Sequence, residues 1–169
     1  MKLEFPPGAL RPIDAGQLSR ASRDAAASPR RRSILRFHDH HEAVQRMINA
    51  IEPDSYVRPH RHQDPDKTEL FLALAGRACL CRFDDAGQLS QTVEIAAAGP
   101  NRGVEVPPRV WHGLVALEAG TVLFEVIEGP FSAATHKHYA PWAPEEGSDA
   151  GAGFLAALRQ RIREGSKAG

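Results

Sequence analysis

Between Ser55 and Glu128 the chain divides into short apolar and β-branched runs, each closed by a turn built from Gly, Pro or Asp. The runs are Ser55–His62, Glu69–Ala75, Arg77–Phe83, Gln91–Ala96, Gly103–Val106, Val110–Leu117 and Thr121–Glu128. The turns between them include Asp64-Pro65-Asp66, Gly76, Asp85-Ala86-Gly87, Pro107-Pro108-Arg109 and Glu118-Ala119-Gly120. Runs this short, with turns this tight, form strands that pair with near neighbours rather than helices. A chain patterned this way must bury its strands in an antiparallel sandwich or barrel.

The flanks read differently. Residues 1–20 are Pro- and Gly-rich, and Leu3, Phe5 and Leu10 are placed to dock an arm on the body. Leu18 to Ala27 reads as a short helix that Pro29 ends. The arginine run Arg30–Arg32 reads as a solvated basic turn, with contact to an anion as the other reading. Propensity allows a helix over Glu42–Asn49, but Val44, Arg46 and Ile48 alternate with Gln45, Met47 and Asn49, so its later half is read as a strand. A C-terminal helix is expected over Ala152–Arg163, with Phe154, Leu155, Leu158 and Ile162 on one packing stripe, and a disordered tail over Glu164–Gly169.

At 169 residues one domain with a sizeable core is expected. Lysines and arginines balance aspartates and glutamates at 21 each, which gives no sign of a nucleic-acid-binding surface. No apolar run reaches the roughly 18 residues of a membrane span, and the N-terminus lacks the apolar core of a secretory signal. A cytoplasmic location is expected. Cys79 and Cys81 share a strand face, which suits two buried thiols better than a mutual disulfide.

Chemistry concentrates around His60-Arg61-His62. In an extended strand Tyr56, Arg58, His60 and His62 share a face, and four polar groups facing inward are costly unless they line a site. Glu69 opens the next strand and His112 lies on a later one. Three imidazoles and one carboxylate suit a divalent transition metal, whether Fe, Zn, Mn or Ni. By spacing alone, His60 and His62 also read as surface histidines beside a turn. Glu125 interrupts an apolar run, so it must be paired, to Arg58 or Arg46, or act as a general base. Arg58 has the fork that clamps a carboxylate or phosphate. Trp111 faces away from His112 by strand alternation and reads as packing.

The spacing His60-x-His62, six residues, Glu69, six residues, Gly76 resembles the first motif of the cupin superfamily. Pro107-x-Arg109-x-x-His112 resembles the second, with Arg109 where the family has Gly and Ala116 where it has Asn. Val44-Gln45-Arg46-Met47, Tyr56–His62, Phe124–Phe131 and Lys137-x-Tyr139-Ala140-Pro141-Trp142 look like the WbuC-like cupin-fold metalloproteins. The resemblance implies an all-β cupin double-stranded β-helix, a jelly-roll barrel, over 34–145. An N-terminal arm (1–33) would precede it, and a C-terminal helix and tail (146–169) would follow. It implies His60, His62, Glu69 and His112 as metal ligands. Glu125 and Tyr56 become catalytic candidates, and Arg58, Arg46, His38 and Lys137 substrate-binding candidates. The expected partners are a small molecule, a sugar or carboxylate-bearing compound, and a second copy in a homodimer. The family context points to an isomerase- or epimerase-like enzyme on a sugar or sugar-nucleotide intermediate of bacterial surface polysaccharide (lipopolysaccharide O-antigen). An Fe(II)-dependent dioxygenase and a non-catalytic metal-bearing binding module remain the alternatives.

Overall fold

The structure, a computed structural model, describes residues 1–165. Its elements follow the order α1 (Ala15–Ala27), β1 (Arg32–Arg36), β2 (Val44–Ile51), β3 (His60–Arg61), β4 (Glu69–Ala75), β5 (Arg77–Phe83), β6 (Leu89–Ala96), β7 (Gly103–Val106), β8 (Trp111–Ala116), β9 (Thr121–Glu128), β10 (His138–Tyr139) and α2 (Asp149–Gly165). The strands form two antiparallel five-stranded sheets, ordered β1-β2-β9-β4-β7 and β10-β3-β8-β5-β6.

Strand alternation assigns each face. Between the sheets lie Ile51, Phe71, Val106 and Leu123 from the first, against Ala78, Leu80, Ile95 and Leu114 from the second. The outer face of the first sheet carries Ile48, Ala50 and Val122, which α1 covers with Ala21 and Ala25. The outer face of the second carries Cys79, Cys81, Phe83, Trp111 and Val115, which α2 covers with Leu155, Leu158 and Ile162. Helix α1 starts earlier than its apolar pattern because Asp14 and Gln17 form a reciprocal capping box. In α2, Leu155, Leu158 and Ile162 are buried while Phe154 packs at the edge. Glu164 and Gly165, expected in a disordered tail, belong to α2, and residues 166–169 lie outside the described residues.

The expected jelly-roll barrel is not found. Both sheets are open, and among the described residues no ladder joins one to the other. The seam stays open where β6 and β7 approach. Strand β7 has four residues and runs directly into Pro107-Pro108, which can donate no ladder hydrogen bonds. A cleft of about 190 Å³, lined by Val93, Val104, Pro107 and Val110, lies there in place of pairing. At the far edge, the N-terminal arm meets β1 through a Lys2–Arg36 bridge. The result is an all-β core of two packed sheets between an N-terminal and a C-terminal helix.

Two expected details hold. Cys79 and Cys81 are buried free thiols, and Trp111 turns from the inter-sheet space to donate to Asp85 Oδ1 at 2.9 Å. Arg109, at the position where the cupin motif has Gly, takes the left-handed conformation with φ 65°. Its guanidinium is held by Asp66 Oδ1 at 2.9 Å.

Candidate metal centre

Four side chains from both sheets converge at one end of the core. His60 lies on β3 and pairs in register with His112 on β8. His62 follows β3 directly, and Glu69 opens β4 in the opposite sheet. All four are 2–3% exposed, and their ligand atoms lie within 4.8 Å of one another. Glu69 Oε2 is 3.1 Å from His112 Nε2 and 3.4 Å from His62 Nε2.

The hydrogen bonds on the far side of each ring decide what the cluster is for. His60 Nδ1 lies 2.9 Å from the Arg58 carbonyl, His112 Nδ1 2.9 Å from the Val110 carbonyl, and His62 Nδ1 2.6 Å from the His136 carbonyl. A carbonyl only accepts, so each Nδ1 carries a hydrogen and each ring turns its Nε2 inward. Burial holds the His60 imidazole far below the usual histidine range, with Lys137 and His112 adding to the effect, so it is neutral at pH 7. Glu69 stays ionised: burial opposes its charge, and the flanking His112 and His62 side chains outweigh it. His60 Nε2 and His62 Nε2 are buried without a hydrogen-bond partner. His112 Nε2 faces a Glu69 carboxylate oxygen at 3.1 Å. Buried ring nitrogens left without partners around a carboxylate are costly unless a cation lies among them. The cluster is a divalent transition-metal site.

Above it opens a cavity of about 390 Å³. Met47, Phe71, Leu114 and Ile127 form its apolar walls. Glu125 projects into it from β9, 8% exposed, and accepts from Asn49 Nδ2 at 2.7 Å rather than from Arg58 or Arg46. Burial and then the Glu69 charge push the Glu125 carboxyl up to about 8, against smaller opposing effects of Lys137 and Asn49. Arg58, Lys137 and His38 also line the cavity. His38 is anchored with Nδ1 2.8 Å from the Arg46 backbone.

Two sequence candidates lie elsewhere. Tyr56 packs in the cluster under α2 and donates to the Pro144 carbonyl at 3.1 Å; burial pushes its hydroxyl up to about 12. Only His60–Arg61 is regular strand, so alternation does not carry back through Pro59 to Tyr56. The Arg46 side chain leaves β2 on the side opposite Gln45, Met47 and Asn49, and pairs with Glu42.

Other residues enter the site without having been singled out. Asn49 shares its inward face with Gln45 and Met47, and the signal was a polar residue in register with buried ones. His136 supplies the carbonyl that orients His62, a role that no side-chain pattern encodes. Lys67 is buried and donates to the carbonyls of Glu128 and Pro130 at 2.8 and 2.7 Å, fixing the chain where it leaves β9 to cover the cavity. Arg30 and Arg32, from the run read as a solvated turn or an anion contact, line the cavity and bond Glu146 at 2.6 Å each.

Glu146 carries a pH prediction. Burial raises its pKa, but the hydrogen bonds from Arg30 and Arg32 prevail and lower it to about 2. Because the folded value lies below the ordinary ~4.3, this pairing stabilises the protein above that pH and is lost as pH falls toward the folded value. After discounting for solvent screening, Glu146→Gln lowers stability at pH 7 by on the order of 1 kcal/mol. Urea melts should show the gap to wild type closing as the pH is lowered; a gap independent of pH contradicts the assignment.

A family model described as "Domain of unknown function (DUF6016)" matches residues 13–95. No curated protein matches the chain. Among solved structures, KdgF from Halomonas sp. aligns with 16% identity and TM-score 0.45, over 61% of this chain and 80% of KdgF. A variant of Bacillus subtilis oxalate decarboxylase aligns with 16% identity and TM-score 0.46, over 58% of this chain and 24% of that one. A conserved Streptococcus pyogenes protein of unknown function aligns with 14% identity and TM-score 0.47, over 62% of this chain and 80% of that one.

Proposed function

We propose that this protein is a metal-dependent enzyme that moves a proton on a small, oxygen-rich substrate such as a sugar or sugar derivative, in an isomerase- or epimerase-like reaction. The observation that carries this reading is Glu125. A carboxyl with its pKa raised to about 8 stands in the same cavity as the metal ligands, with one oxygen fixed by Asn49. A buried carboxyl beside the metal ligands, positioned by a neighbouring amide, is what proton abstraction beside a carbonyl requires. When bound, a divalent ion supplies Lewis-acid polarisation of substrate oxygen. Glu125 removes and returns the proton, Asn49 holds its Oε2, and the walls of Met47, Phe71, Leu114 and Ile127 keep water from the reacting carbon. Arg58 and Lys137 hold negative charge on the substrate.

The test is solvent exchange. Metal-loaded protein is incubated anaerobically in D2O with a panel of aldoses, ketoses and their phosphates and uronic acids, and NMR follows loss of the C–H signal beside the carbonyl. Exchange is expected for at least one substrate. Glu125→Gln should slow it by about 10²-fold or more while metal content is unchanged. Exchange that persists in the variant, turnover that requires dioxygen, or no exchange across the panel overturns this reading.

A further inference from the structure

The cavity carries a second charged group besides the metal ligands. Arg30 Nε and its terminal nitrogen lie 2.6 and 3.0 Å from the two oxygens of Glu146, and an Arg32 terminal nitrogen lies 2.6 Å from Glu146 Oε2. Two guanidinium groups thus deliver three donors to one anion, the fork geometry that suits carboxylate and phosphate alike. Arg32 is itself fixed by Ser55 Oγ at 3.1 Å and the Tyr56 carbonyl at 3.0 Å, so the cradle is built in advance.

Positive charge here exceeds what Glu146 neutralises. Arg58 and Lys137 line the same cavity, and among the described residues neither has a carboxylate within ion-pair distance. Arg58 Nε is buried without a hydrogen-bond partner, and its guanidinium carbon rests 5.0 Å from the Tyr139 ring centroid. Lys137 connects the two groups. Burial, the dominant effect, lowers its pKa; Glu69 and Glu125 act on it from the metal side, and Arg32 and Arg30 from the mouth. Glu69 is committed to the metal ligands and Glu125 accepts from Asn49, so among the described residues Glu146 is the one carboxylate of the cavity ion-paired to any of Arg30, Arg32, Arg58 and Lys137.

We propose that the cavity mouth is an anion subsite, separate from the metal centre, that takes the phosphate group of a phosphorylated small molecule whose oxygen-rich end reaches the metal ligands. The pairing of the two ends rests on the enzymatic reading above, whereas the phosphate subsite itself needs no metal. A monocarboxylate would duplicate what Glu146 already does and leave Arg58 and Lys137 uncompensated. A phosphate dianion matches the excess charge and offers enough oxygens for Arg30, Arg32 and Arg58 together. Glu146 then occupies the place of the ligand anion in the free protein and competes with it.

The test uses metal-stripped, full-length protein titrated with inorganic phosphate at pH 8, followed by calorimetry, with acetate titrated in parallel. One saturable phosphate site is expected, with acetate much weaker. Arg30→Ala, in an arginine whose side chain is 64% exposed, and Arg58→Ala should each weaken phosphate binding about tenfold, the scale of a lost charge-assisted hydrogen bond. Glu146→Gln should tighten it severalfold, a gain that misfolding cannot produce. Arg77→Ala, at a pair on the exposed edge with Glu94 and Glu118, should change nothing. No saturable binding, acetate binding as tight as phosphate, a Glu146→Gln variant no tighter than wild type, or equal weakening by Arg77→Ala each overturns the proposal. Since the metal is absent throughout, a failed phosphate titration leaves the enzymatic reading standing, and a failed exchange assay leaves the phosphate subsite standing.

Discussion

His60→Ala and His112→Ala each leave the protein without stoichiometric metal, whereas wild type purified without added metal retains close to one equivalent. The size of the effect follows from how the rings are held. Each Nδ1 donates to a backbone carbonyl, so each Nε2 is oriented before the ion arrives and little ordering is left to oppose binding. Alterations to groups that merely orient metal ligands cost ~10–100-fold in affinity, and loss of a ligand itself exceeds that. Binding linked to folding also predicts a stability difference: at a free-metal concentration 1,000 times Kd, wild type gains about 4 kcal/mol over its metal-stripped form. The variants lose most of that gain. His41→Ala, at an exposed position outside the cluster, is the control and keeps its metal. Elemental analysis of the three variants beside wild type reads the outcome, and metal retained in both His60→Ala and His112→Ala would remove these residues from the ligand set.

Gly129→Ala unfolds the cover of the site. Gly129 directly follows β9, donates to the Ala43 carbonyl at 2.7 Å, and sends the chain over the cavity toward His136 and Lys137. A Cβ there would run into the Glu42 carbonyl oxygen and lie 2.8 Å from Gln45 Nε2. Gln45 Nε2 itself donates to that carbonyl at 2.7 Å, so the obstructing groups are backbone and a fixed amide, not a free side-chain end. Relief requires the 39–45 turn to move away from β9. A loss of at least about 3 kcal/mol is expected, at the upper end of overpacking effects. For a chain of this size that is a fall in Tm of roughly 6–12 °C. Thermal melts of metal-stripped protein isolate this effect from the metal contribution, and a shift under about 2 °C would contradict the packing described here.

The strand pattern was legible because turns of Gly, Pro and Asp cut the chain into pieces that alternation could assign. The grouping of His60, His62, Glu69 and His112 was legible for a related reason: His60 and His62 are two apart, Glu69 opens a strand, and His112 faces His60 across a ladder. Closure of the sheets was not legible. It depends on whether β6 and β7 pair at their edges, and a four-residue β7 running into two prolines leaves that seam open. Tyr56 was placed on the ligand face by extending alternation through Ser55–Pro59, where the chain is not a regular strand. The mouth of the cavity was the least legible part. An arginine run near a turn reads as solvated, and what gathers Arg30 and Arg32 is Glu146, over a hundred residues away. Pairing over that distance leaves no local pattern to read.

The most direct test of the central claim is a titration of metal-stripped wild-type protein with Zn(II) and with Mn(II), reading stoichiometry by calorimetry, beside His60→Ala under the same conditions. The geometry predicts one saturable site per chain in wild type and no such site in the variant. Wild-type protein that is folded but binds neither ion stoichiometrically would contradict the metal centre and the enzymatic reading built on it.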